Sequence, residues 1–206
     1  MLETHSFQTR LFLKIVRQAW FRPIAKLIER ITIPGILLHY ALRKKNISQL
    51  ARAALVHGTK QLVVIGPGFD PLSLELHREF RTAQFWEIDH PATQGHKTRA
   101  FPEIDHQLFH FIANNLSSTA PDKNALRNSG FDSAQSTFWI AEGLLMYLQP
   151  DIVSRLMITL KELSAPGQPV CIHNHGFFNH DDLREMELEL TDKPIARGDV
   201  ICLAEI

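Results

Sequence analysis

Little in this sequence demands a special environment. Its 206 residues include two cysteines, Cys171 and Cys202. Two cannot build a disulfide framework, and both stand in apolar, strand-like runs, so they are expected to be buried thiols in a reducing compartment. Charge of one sign is not in excess, because Lys+Arg and Asp+Glu are each 22. That removes the basic field that nucleic acid attracts and the acidic bias of a disordered tail. Long hydrophobic runs are missing as well. The longest, ITIPGILLHYAL over 31–42, is too short to cross a bilayer and contains Pro34 and Gly35. Glu3, Lys14 and Arg17 break up the start in a way that a secretory leader does not. Neither an internal repeat nor a low-complexity linker is visible. The expectation is a cytoplasmic protein of one domain, with no membrane insertion and no nucleic-acid partner.

What is present is an ordinary globular composition, 45% hydrophobic and 21% charged, arranged in a regular order. Residues 8–31 alternate basic and apolar positions at helical spacing. This suits a membrane-surface helix or a covering helix with a solvated face, and the second is favoured. After Pro34-Gly35, the spacing of Leu38, Leu42, Ala51, Ala54 and Leu55 predicts a helix over 36–57. Strands are then expected at 61–65, 84–88, 107–113, 136–142, 168–174 and 199–204. Helices are expected at 71–80, 91–100, 150–163 and 181–190. Strands apolar on both faces and alternating with helices imply an α/β fold, a mostly parallel sheet covered on both sides. Ligands of such sheets bind beyond the carboxyl ends of the strands, so the chemistry is sought where each strand stops.

The first strand stops at Gly66-Pro67-Gly68-Phe69-Asp70. Glycine allows a tight turn and close approach of backbone to ligand, and Asp70 can cap the helix that follows. A dinucleotide fingerprint needs a third glycine at position 71, where proline stands, and the Gly-Lys-Ser/Thr of a phosphate loop is absent. The second strand stops at Asp89, spaced from Gly66 as an acid that accepts from ribose hydroxyls would be. Asp89 could equally cap the helix opening at Pro91. The third strand stops at Asn114-Asn115-Leu116, a turn that could also face the edge of an adenine ring. The fourth stops at Glu142-Gly143. A carboxylate at the end of so apolar a strand needs a cation to justify it, and the ammonium of a ligand would serve. The fifth ends His173-Asn174-His175. Alternate strand residues share a face, so the two histidines could hold a metal together. The plainer reading, one of them at the mouth of the site, is favoured, with a general base among them.

Taken together, GPGFD, FWEIDHPATQGHK and FWIAEGLLMYL resemble the leucine carboxyl methyltransferase family of S-adenosylmethionine-dependent O-methyltransferases over roughly residues 36–170. HYALRKKNISQL (39–50) is similar to the family segment whose arginine holds the cofactor carboxylate, which would be Arg43. The resemblance implies a Rossmann-like class I methyltransferase fold with a seven-stranded sheet. It also implies S-adenosylmethionine held by Arg43, Gly66, Gly68, Asp89, Asn115, Leu116 and Glu142. Members commonly carry aspartate where Asn115 stands. They also run longer after the fifth strand, whereas about thirty residues follow His175 here, so the C-terminal part is expected to be reduced.

Three functions fit these residues. The first is methyl transfer to a hydroxyl or carboxylate of a small molecule or peptide. His173 or His175 would act as base if the acceptor is a hydroxyl, and residues 1–57 would form a helical lid over an α/β core at 58–206. The second is an inactive relative that binds cofactor or a partner and has lost turnover with its shortened C-terminus. The third is a metal-dependent hydrolase built on the two histidines, which leaves the glycine loop and Glu142 unexplained.

Overall fold

In the computed structural model the described residues are Pro23, Leu27, 36–164, 169–175, 189–196 and 199–205, the last three segments as backbone. The helix expected over 8–31 lies outside them apart from Pro23 and Leu27, which are helical. The side chains of Cys171 and Cys202 lie outside them too. Helix α1 spans Ile36–Val56, and the chain divides within it into two compact units, Met1–Lys45 and Asn46–Ile206. The break therefore falls inside a continuous helix.

In the second unit the elements alternate as expected. They are β1 (Gln61–Ile65), α2 (Leu72–Glu79), β2 (Gln84–Asp89), α3 (Pro91–Ala100), β3 (Phe109–Ala113), α4 (Lys123–Asn128) and β4 (Thr137–Glu142). After a 3-10 turn at Leu145–Tyr147 come α5 (Pro150–Leu163), β5 (Pro169–His175), β6 (Glu189–Ala196) and β7 (Asp199–Glu205). They build one seven-stranded sheet in the order β3-β2-β1-β4-β5-β7-β6. The first five strands pair in parallel, and β7 pairs antiparallel with both β5 and β6.

Period-two alternation divides the strand residues between two cores. Val63, Ile65, Trp86, Ile88, Trp139 and Ala141 pack with Leu126 of α4 and with Val153, Leu156, Leu160 and Leu163 of α5. Leu62, Val64, Phe85, Phe109, Phe138 and Ile140 pack with Ile47, Ala51 and Leu55 of α1 and Leu72, Leu74 and Leu76 of α2. The apolar stripe of α5 is the one its sequence spacing predicts. Each buried tryptophan keeps its indole N–H bonded, Trp86 to Ser129 Oγ at 2.8 Å and Trp139 to Ser164 Oγ at 2.7 Å. Burial thus costs no orphaned donor.

After β5 the chain supplies β6 and β7, an antiparallel hairpin at the edge of the sheet. One expectation is corrected. Of the helix expected at 181–190, residues 189 and 190 open β6 instead, and 181–188 lie outside the described residues. The strand Glu189–Ala196 carries Asp192, Lys193 and Pro194, so no alternation shows in it. Such residues are tolerated because β6 is the edge strand, with a register irregularity at Pro194/Ala196. Helix α4 also went unread. Its six residues carry no period, and it is fixed by Asp122, whose side chain accepts from Asn124 N at 2.9 Å and Ala125 N at 3.1 Å.

Candidate functional site

The strand order reverses direction at β1, with β2 on one side and β4 on the other, which opens a crevice at their carboxyl ends. The register brings the singled-out residues to that edge. Ile65 is level with both Ile88 and Ala141, so Gly66, Asp89 and Glu142 follow side by side. Glu142 in turn is level with His173 on β5. Gly66 N donates to Ile88 O at 2.8 Å, and Asn114 N to Asp89 O at 2.8 Å, which extends the ladder one step past the strands.

The two loop glycines are required for different reasons. Both have positive φ, +65° at Gly66 and +56° at Gly68, where a side chain is strained. At Gly66 an added Cβ would also stand 2.8 Å from Leu144 Cδ1, so this glycine lets the loop pack on the turn after β4. At Gly68 an added Cβ would meet nothing within 4 Å, so the space above the loop is open. Phe69, 73% exposed, stands beside it.

Asp89 is held between the loop and its own strand end. Its Oδ2 accepts from Gly68 N at 2.6 Å and its Oδ1 from His90 N at 2.6 Å. A carboxylate can accept roughly four hydrogen bonds, which leaves about two for a ligand. Asp89 does not cap α3. That position belongs to His90, whose Nδ1 accepts from Ala92 N at 3.2 Å ahead of Pro91. Asp70 does serve the start of α2, since its Oδ1 accepts from Leu72 N at 3.1 Å.

The paired asparagines take separate tasks. Asn114 is buried and organises the loop, with Oδ1 accepting from Asp122 N at 3.1 Å and Nδ2 donating to Thr119 Oγ1 at 3.1 Å. Asn115 is exposed, and its Oδ1 accepts from Ser117 N at 3.2 Å. The side chain of Leu116 joins the core, so only its backbone could face a ligand. Glu142 is half-buried at the end of β4, ahead of Gly143, whose φ is +62°. The backbones of His173 and His175 lie on β5, level with Ile201 and Asp199 of β7, and their side chains lie outside the described residues. Arg43 belongs to the other unit, where its guanidinium lies 4.5 Å from the centroid of the Tyr40 ring, a cation–π distance.

Sequence reasoning missed a buried ion pair behind the loop. Glu87, wholly buried in the otherwise apolar β2, meets the ammonium of Lys97 from α3 at 2.7 Å. Ser73 of α2 donates to the same carboxylate, and Lys97 Nζ also donates to Asp70 O at 3.0 Å. Burial pushes the Glu87 carboxyl above its ordinary value, while the Lys97 charge and the bonds from Lys97 and Ser73 pull it back. The available signal was a carboxylate in the middle of an apolar strand with a lysine on the next helix. Among the described residues, no group of three His, Cys, Asp or Glu is placed to hold a metal ion, and no helix is long and apolar enough to cross a membrane.

Comparison with known proteins gives a consistent result. A model of the leucine carboxyl methyltransferase family matches residues 9–161. A Mycobacterium marinum protein named as an S-adenosyl-L-methionine-dependent methyltransferase is 32% identical over 175 residues, 78% of this chain and 56% of its own length. One from Mycolicibacterium smegmatis, similarly named, is 36% identical over 130 residues, 62% of this chain and 43% of its own. The chain thus spans about half the length of the curated relatives it matches. Among solved structures, the mitomycin 7-O-methyltransferase MmcR superposes with TM-score 0.53 at 11% identity, over 72% of this chain and 50% of that one. Human N-acetylserotonin methyltransferase in complex with SAM gives 0.50 at 11%, over 71% and 47%. At such identity the likeness is one of fold, and the fold is that of the class I methyltransferases, as expected.

Proposed function

The chain belongs to the leucine carboxyl methyltransferase family, and on that premise we propose that it is an S-adenosylmethionine-dependent O-methyltransferase acting on a hydroxyl or carboxylate of a small molecule or peptide. The observation that carries this reading is Asp89, anchored to Gly68 N with acceptor capacity left over, beside a loop with open space above it. Those remaining acceptor positions fit the hydroxyls of a ribose without phosphates. The loop offers no lysine and no Gly-Lys-Ser/Thr to a phosphate, and Gly68 N is already used.

In this reading Asp89 accepts from the two ribose hydroxyls. Glu142, on the other side of the loop, takes the ammonium of the amino-acid portion. Arg43 is assigned its carboxylate from the resemblance alone. The Asn115-Leu116 turn faces the adenine edge, with Asn115 Oδ1 able to accept one bond beyond that from Ser117. When bound, S-adenosylmethionine supplies a sulfonium methyl open to in-line attack. The protein's task is to align the acceptor with it and exclude water. A carboxylate acceptor is already ionised at neutral pH and needs no base. A hydroxyl acceptor would give its proton to His173 or His175, and the pair of histidines at the end of β5 inclines the reading towards a hydroxyl.

Two measurements test the proposal. Calorimetric titration with S-adenosylhomocysteine is expected to give a single saturable site. Incubation with S-adenosylmethionine and a panel of hydroxyl and carboxylate acceptors is expected to release S-adenosylhomocysteine. Absence of binding at millimolar ligand would refute the reading. Tight binding without turnover on any acceptor would leave a cofactor-binding relative in its place.

A further inference from the structure

A lysine and a glutamate buried together are costly unless they do something that apolar residues could not. Lys97 is 2% exposed and Glu87 is 0% exposed, and neither reaches the crevice. What distinguishes them is a third partner. The ammonium of Lys97 bridges the Glu87 carboxylate at 2.7 Å and the backbone carbonyl of Asp70 at 3.0 Å. Asp70 is the last residue of the loop that carries Gly66 and Gly68. Within that loop Gly68 N is held at 2.6 Å by Asp89, which lies two residues after Glu87 on the same strand. The segment from Glu87 to Lys97 therefore grips the loop at two points, its middle through Asp89 and its far end through Lys97.

The remaining contacts stiffen the grip. Ser73, buried in the first turn of α2, donates to the Glu87 carboxylate, so the helix that leaves the loop is tied to the same group. Gln94 Nε2 donates to Glu87 O at 3.0 Å, which locks α3 to the strand. Asp70 N donates to Pro67 O at 3.0 Å, so its peptide is part of the loop's own turn. A shift of the Asp70 carbonyl would rotate that turn and alter the aim of Gly68 N at Asp89. An uncharged pair could fill the same volume, but neither of two aliphatic side chains could donate to a carbonyl.

We propose that Lys97 and Glu87 are a positioning pair that sets the glycine loop and Asp89 for the nucleoside ligand without touching it. The inference rests on the cofactor reading above. Lys97 supplies the donor that holds the Asp70 carbonyl, and Glu87 supplies the charge that keeps Lys97 ionised and aimed.

The test separates positioning from bulk stability. Removing one partner leaves a buried charge unpaired, so the single variant Lys97→Met is expected to fold poorly. The double variant Glu87→Leu/Lys97→Met replaces both charges with residues of similar volume. It is expected to unfold in urea within a small margin of the wild type. Its affinity for S-adenosylhomocysteine should nevertheless fall by at least tenfold. Hydrogen exchange of the unliganded protein should speed up at the Gly68 and Asp70 amides and stay unchanged in β1 and β4. Glu87→Gln removes the charge that keeps Lys97 ionised but leaves its amine beside the Asp70 carbonyl, so its affinity should fall between those of the wild type and the double variant. If Glu87→Leu/Lys97→Met does not fold, Glu87→Gln/Lys97→Met carries the same comparison. Wild-type affinity and wild-type loop exchange in a stable double variant would overturn the proposal while leaving the cofactor reading intact. A wild-type protein that binds no S-adenosylhomocysteine would overturn both.

Discussion

The two glycines of the loop should separate when each is replaced by alanine. Both sit in the left-handed region, so each substitution costs about 1–2 kcal/mol in backbone strain. Gly66→Ala adds a steric term, because the new Cβ stands 2.8 Å from Leu144 Cδ1. That atom ends a flexible side chain, so the cost belongs at the low end of the ~1–3 kcal/mol typical of overpacking. Gly66→Ala should therefore lose about 2–3 kcal/mol and Gly68→Ala about 1–2 kcal/mol. Binding should show the reverse order relative to stability. The Cβ of Gly68→Ala enters the open space assigned to the ligand, so this milder lesion should cut S-adenosylhomocysteine affinity by tenfold or more. The assay is urea unfolding with slopes checked for equality, paired with calorimetric titration. A double cycle with Leu144→Ala should recover about 1 kcal/mol of the Gly66→Ala loss and none of the Gly68→Ala loss. Equal stability losses, or normal affinity in folded Gly68→Ala, would refute the division of roles.

Other outcomes follow from the same geometry. Glu142→Ala and Arg43→Ala should each weaken S-adenosylhomocysteine more than tenfold and adenosine far less, whereas Asp89→Ala should weaken both; titrations with the two ligands check this, and equal losses of adenosine affinity in all three would sink the assigned contacts. His77 is 2% exposed, edge-on to Phe85 and Phe109, with neither ring nitrogen hydrogen-bonded. Burial, assisted by the positive charge of Arg81, lowers its pKa in the folded protein. The unfolded chain then binds the proton first as pH falls through about 6.5, so stability should drop from there towards the lower folded value. His77→Phe should flatten that part of the stability–pH curve, and an unchanged slope would show that other groups set it. With a hydroxyl acceptor, the pH–rate profile should rise near pH ~6.5 and lose that limb in either His173→Ala or His175→Ala. A flat profile with both variants active would mark the acceptor as a carboxylate.

The sequence by itself determined the alternating order of the second unit. Strands buried on both faces need unbroken apolar runs, and a covering helix needs a stripe at period 3.6. Both patterns are local and can be read without knowing what they touch, which is why β1 and α5 stand where their residues place them. It also marked the ends of the strands, because Gly66, Asp89 and Glu142 each interrupt an apolar run with a residue that has no place in a plain core. Only the tertiary structure decided how those interruptions are used. Asp89 reads equally as a helix cap until Gly68 N is found bonded to it and His90 is found doing the capping. Lys97 looks like a solvated helix charge until α3 packs it against Glu87. The edge strand β6 has no pattern of its own, since a strand at the rim gains its hydrogen bonds from β7 and needs no apolar alternation to hold it. Side-chain patterning records what an element buries. Contacts between distant segments record which partner meets which, and that is fixed only when the sheet assembles.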